Sequence, residues 1–120
     1  MIYYEISASK FIYSLLKEKG AIYFTENIEN ELAANGYPLD DDMVLLFAGQ
    51  ALIAENEPEK AIALYEFYTR KFPRIVVAWN DLGDAWLLKG EPENAKRCFR
   101  KALELRPGNV RAKESLEKIK

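Results

Sequence analysis

Residues 42–75 and 76–109 carry one pattern twice, 34 residues apart. Laid over one another, Gly49 falls on Gly83, Pro58 on Pro92, Glu59 on Glu93, Ala61 on Ala95, Tyr65 on Phe99 and Pro73 on Pro107. Residues of like size at one constant offset mark a stacked repeat, in which no unit can bury its apolar face alone and each covers its neighbour's. A chain built this way is a scaffold for holding something.

The repeat divides into helices by its own punctuation. Asp40, Asp41 and Asp42 can each cap a helix N-terminus, which predicts a first helix over 42–55 that stops at Asn56. Glu57-Pro58 opens a second, with proline at the first helical position, where its missing N–H costs nothing. Ala61, Leu64, Tyr65 and Tyr68 share one face at three-and-four spacing. That helix ends before Phe72-Pro73, because a residue preceding proline is pushed out of the helical region. A third helix, 76–89, ends at Gly90, a left-handed C-terminal stop. Glu91-Pro92 then repeats the opening and the fourth helix runs to Leu105. A fifth, 110–119, is polar outside and apolar at Val110, Ala112, Leu116 and Ile119, the pattern of a terminal cap.

Residues 1–41 are less regular. The pattern predicts a helix over 10–19, with Phe11, Leu15 and Leu16 inward and Gly20 as its stop, and another over 25–35 ending at Gly36. Two such helices make a decayed third hairpin on the first repeat, although the spacing departs from 34 residues. Ile2-Tyr3-Tyr4-Glu5-Ile6 alternates weakly, as a short strand or the end of a linker does.

Trp79, Leu82, Gly83, Trp86, Gly90, Ala95, Phe99, Ala102 and Pro107 resemble the tetratricopeptide pattern at every signature position of 76–109, with tryptophan for the usual tyrosine at 86. Residues 42–75 resemble it less closely: Leu45 stands for the aromatic, Ala48 for the leucine, and bulky Tyr68 for the second alanine. The resemblance implies an all-α, right-handed superhelix of helical hairpins. Its organisation would be an N-terminal helical segment (1–41), two repeats (42–75 and 76–109) and a capping helix (110–120). Gly83 and Ala95 would be small where the helices of a hairpin approach closely, with Trp79, Trp86 and Phe99 filling the space between hairpins. More loosely, the region from about residue 8 onward, with its Asn35-Gly36-Tyr37-Pro38 turn, resembles the helical appendage behind the catalytic domain of some bacterial serine hydrolases and esterases. That likeness implies a non-catalytic accessory or dimerisation domain and carries no catalytic residue here.

The composition removes most chemistry. The chain has no histidine, hence no common general base, no Ser-His or Cys-His pair, and few routes to a transition-metal site. Its single cysteine, Cys98, falls on a packing face and reads as a buried thiol. No glycine-rich phosphate loop occurs. Glu55, Glu57 and Glu59 crowd one inter-helix turn and read as first-turn acids on a helix N-terminus. Asp40, Asp41 and Asp42 lack the alternating spacing of a calcium loop. The expectation is a non-enzyme without cofactor or metal.

The net charge of −2 hides an imbalance: residues 1–69 hold four lysines against twelve acids, while residues 70–120 hold thirteen basic side chains against seven acidic ones. Such a dipole orients charged partners or favours self-association; the plainer reading is solvated faces of different sign. Arg97, Arg100, Lys101 and Arg106 are interleaved with Glu93 and Glu104 and lack stacking motifs, so no nucleic acid is expected. No apolar run approaches the roughly 18–20 residues of a membrane span. With no secretion signal at the N-terminus, the expected location is the cytoplasm.

Binding remains. By the resemblance, repeat positions on the first helix of each hairpin line a concave groove: Met43, Leu46, Gln50 and Ile53, then Val77, Asn80, Asp84 and Leu87, with Arg111 and Glu114 from the cap. This is an apolar floor with a few polar groups, suited to an amphipathic helix or extended apolar peptide of a partner protein. Three coverings are open: the N-terminal helices, a partner, or a second copy in a homodimer. Clamping of a terminal carboxylate is not expected, because Leu46 and Gln50 replace the basic and amide groups it needs and Asp81 and Asp84 repel it.

Overall fold

The computed structural model describes the backbone of residues 2–37 and 44–119, and side chains at 8–37 and 46–119. Asp40, Asp41, Asp42 and Met43 therefore lie outside the described residues. Among these there are six helices and no strand: α1 (Ile2–Ala34), α2 (Val44–Ala54), α3 (Pro58–Lys71), α4 (Val76–Lys89), α5 (Pro92–Leu105) and α6 (Val110–Lys118). The chain is an all-α stack of helical hairpins. Pro58 and Pro92 start α3 and α5 as the punctuation predicts. Gly90, at φ 87°, ends α4 in the left-handed region that a side chain would resist.

The hairpins close on glycine. A Cβ placed on Gly83 would lie 2.6 Å from the Phe99 ring, and one on Gly49 would lie 2.3 Å from the Tyr65 ring. Both rings are fully buried. The two halves of the repeat thus use one device at equivalent positions: a bare backbone on the first helix admits an aromatic from the second. Ala95 and Ala102 are also fully buried, packed with Phe99 and with Ala112 of α6. Tyr68, bulky where an alanine was the pattern, is taken into the core: its ring stacks on Tyr65 and meets Phe72 edge-on.

The N-terminal segment departs from the expectation in three ways. Residues 2–6 are helical, as the first turns of α1, and not a strand or linker. The helix expected over 25–35 begins directly after Gly20. And Gly20 is a sharp break (φ 88°, ψ 175°) inside one long element, where the expectation was a simple stop. The arm before the break lies along α2; Tyr13 and Lys17 reach Glu55 and Glu57 at the α2–α3 turn. The arm after it lies along α3, with Phe24 edge-on to Phe67 at 5.9 Å and Glu29 paired with Lys71. The segment adds a layer to the stack.

Glu55 and Glu57 are accordingly anchors. Tyr13 donates to Glu55 at 2.6 Å, Lys17 donates to Glu55 at 3.2 Å and also bonds Glu57, and Lys60 bonds Glu57 at 2.5 Å. Of the three glutamates only Glu59 sits in the first turn of α3. The Tyr13 hydrogen bond, then Lys17, holds the Glu55 carboxyl below its ordinary range. Lys17 first, then Lys60, does the same for Glu57.

Two outcomes follow. Gly83→Ala gains about 1 kcal/mol of helix propensity but overpacks against a buried ring at about 1–3 kcal/mol, so the net change should be destabilising. Gly108→Ala, which meets nothing within 4 Å, serves as control. Urea midpoints decide; a stabilised Gly83→Ala would remove the close approach. Carboxylates with depressed pKa stabilise the fold above their unfolded value and lose that contribution as pH falls through the folded one. Stability should therefore decline below about pH 4.5, and the Glu55→Gln/Glu57→Gln variant should show a flatter acid limb. Identical limbs would show that these contacts do not anchor the arm.

Candidate functional site

The first helices of the hairpins, α2 and α4, and the terminal α6 carry the expected groove residues. The structure sorts them into two groups. Gln50 is exposed and Ile53 half-buried on α2; Val77 and Leu87 are 42% and 38% exposed on α4. Asp84 is half-buried, while Arg111 and Glu114 are exposed on α6. These seven form the accessible part. Leu46 (8% exposed) and Asn80 (2%) are buried instead. Leu46 belongs to the main apolar cluster with Ala48 and Leu52.

Asn80 is buried because it ties α4 to the chain end. Its side-chain amide donates to Asn109 Oδ1 at 3.1 Å, and the same oxygen accepts the Ala112 N–H at 2.9 Å, capping α6. One asparagine oxygen thus serves two donors from two elements. No pattern in α4 alone signals this, since the partner lies 29 residues further on.

A second polar network crosses the same junction. Asp81, buried at 4% exposure, accepts the Tyr65 hydroxyl at 2.9 Å and an Arg111 N–H at 2.7 Å. Arg111 also bonds Asp84 at 2.5 Å. Burial, then the charge of Asp81, pushes the Tyr65 pKa far up, so the phenol keeps its proton and remains the donor. The guanidinium is spoken for by two carboxylates. That is a structural reason why Arg111 is not free to take a terminal carboxylate.

A further depression, which the sequence reading did not single out, lies across the other side of the repeats. It is a cleft of ≈ 800 Å³ between α3 and α5, floored by Trp79, Trp86 and Leu82. Both tryptophans are half-buried and pack against the two apolar clusters, with the Trp79 indole N–H donating to Pro73 O at 2.9 Å. Their spacing marked them as filling between hairpins; that their edges also floor a cleft depends on what α3 and α5 leave uncovered. Cys98 borders it and is buried, and desolvation pushes its thiol up to about 12, an inert group at neutral pH. No helix among the described residues is long and apolar enough to cross a membrane.

Residues 76–109 match the family model of the tetratricopeptide repeat. Over 83 residues, 68% of this chain, the sequence is 31% identical to the tetratricopeptide repeat domain-containing protein PYG7, chloroplastic, of Arabidopsis thaliana. The chain spans 28% of that protein's length.

The Asp81 network yields a graded expectation. Arg111→Ala strands a buried carboxylate and should cost about 1–3 kcal/mol. Asp84→Ala removes a solvent-facing partner and should cost under about 1 kcal/mol. Equal losses in chemical denaturation would show that Asp81 does not depend on Arg111.

Proposed function

Because the chain is a tetratricopeptide-repeat protein, we propose that it binds a partner protein through the face formed by α2, α4 and α6, taking an amphipathic helix or extended apolar segment. Tetratricopeptide repeats generally mediate protein–protein interactions and are typically scaffold modules without catalysis. The observation that carries the finer reading is the exposure of Val77 and Leu87 on α4, with Ile53 half-buried on the neighbouring helix. Apolar side chains held open by a rigid stack offer binding area whose ordering cost is already met by the core. Gln50 and Asp84 supply polar register points along it. With Arg111 neutralised by Asp81 and Asp84, the face selects apolar surface over an acidic terminus.

The test is a display selection of helical and extended peptides on the folded chain, followed by amide chemical-shift mapping. Binders should perturb Gln50, Val77, Asp84 and Leu87, and Val77→Glu/Leu87→Glu should weaken binding by at least about tenfold, or 1.4 kcal/mol, while helical content is kept. Shifts confined to the cleft between α3 and α5 would overturn the assignment.

A further inference from the structure

One stripe of α3 lines two different depressions. Glu59, Ile62, Ala63, Glu66 and Arg70 recur at three-and-four spacing and so share one side of the helix. At its start this side borders a shallow groove of ≈ 280 Å³ against α1, and at its end the tryptophan cleft against α5; Glu66 lines both. The groove and the cleft are therefore neighbours on a single face, made by the second arm of α1, α3 and α5.

Their chemistry is opposite. The groove against α1 is acidic, with Glu26, Glu59 and Glu66 around Ile22, which at 77% is the most exposed large apolar side chain described. Among the described residues Glu26 and Glu66 form no ion pair, and Glu59 reaches only Lys89, at 4.0 Å. The cleft is edged by Arg70, Arg97, Arg100 and Lys101 with Glu66 and Glu104 among them; Lys101 pairs with Glu104, and among the described residues the three arginines form no ion pair. Acids, two of them without an ion pair among the described residues, surround an apolar knob, and three arginines without one edge an apolar cleft.

We infer that this face is a self-complementary interface by which a second copy of the chain docks as a two-fold dimer. When complementary patches lie side by side on one face, a two-fold axis between them sets the acidic groove of each copy against the basic cleft of the other. Ile22 of one copy then enters the tryptophan-floored cleft of its partner, and the arginines meet Glu26 and Glu59 across the axis. The contact closes on itself, so assembly stops at two. The scale fits: α3 and α5, 14 residues each, are about 21 Å long, so a face that spans both and the second arm of α1 is of the order of the about 800 Å² that each partner commonly buries. This face is distinct from the one assigned to peptide binding, so one copy can use both.

Stacked nucleic acid fits the cleft less well. Lys101 already sits over the Trp79 ring at 5.9 Å and Lys89 over the Trp86 ring at 5.6 Å, and Glu66 and Glu104 would face the phosphates.

Sedimentation equilibrium of the whole chain tests the dimer. At low salt the mass should be twice that of the chain and should fall toward one copy as salt screens the pairs. Arg97→Glu/Arg100→Glu and Glu26→Arg/Glu59→Arg, each folded by circular dichroism, should each be monomeric, and an equimolar mixture should recover the dimer because every cross-contact again pairs opposite signs. Ile22→Glu, at an exposed position, should also give a monomer. A monomeric wild type at low salt, a mixture that fails to associate, growth beyond two copies, or a monomer whose cleft instead takes up poly-glutamate or an oligonucleotide would each overturn it.

Discussion

An aromatic ring resting where a glycine has no side chain is the contact on which this stack depends. Gly49 receives Tyr65 and Gly83 receives Phe99, and in each case a single added carbon would lie within 2.6 Å of ring atoms. That sets the separation of the two helices in a hairpin. Once the separation is fixed, the next hairpin can nest, and Trp79 and Trp86 fill the seam between clusters. It also brings Tyr65 to the edge of its own hairpin, where its hydroxyl reaches Asp81 of the next. A close approach within one repeat thus creates the polar link between two.

The helices of the repeats were legible because their boundaries are written in residues with one conformational use. Proline at the start of α3 and α5, and glycine in the left-handed region after α4, act locally and need no partner. The N-terminal segment was not legible to the same degree. Gly20 breaks the backbone without interrupting the helical pattern on either side, so a stop and a sharp bend look alike in sequence. What distinguishes them is the docking of Lys17 on Glu57, across 40 residues.

Which of the expected groove residues stay exposed was legible only in part, for a related reason. Repeat position gives the direction in which a side chain leaves its own helix, and it says nothing of what arrives opposite. Asn80 leaves α4 as its position requires and is then covered by Asn109 and the start of α6. Leu46 is enclosed by the main cluster. Val77 and Leu87, at equivalent kinds of position, stay open at 42% and 38% exposure.

Arginine illustrates how far surroundings decide chemistry. Arg111 has two aspartates within hydrogen-bonding distance, and its charge is absorbed into the junction between α4 and α6. Arg97 and Arg100 have no carboxylate partner among the described residues, and neither does Arg70. Exposed pairs are worth little individually, so the difference is not one of stability. It is one of availability: a charge already matched inside the fold cannot recruit, whereas an unmatched one keeps its full field toward whatever approaches. Pairing of Arg111 therefore leaves exposed Val77 and Leu87 to set the character of α4, while on the opposite side of the repeats charges of both signs without an ion pair among the described residues lie beside an apolar knob and an apolar cleft.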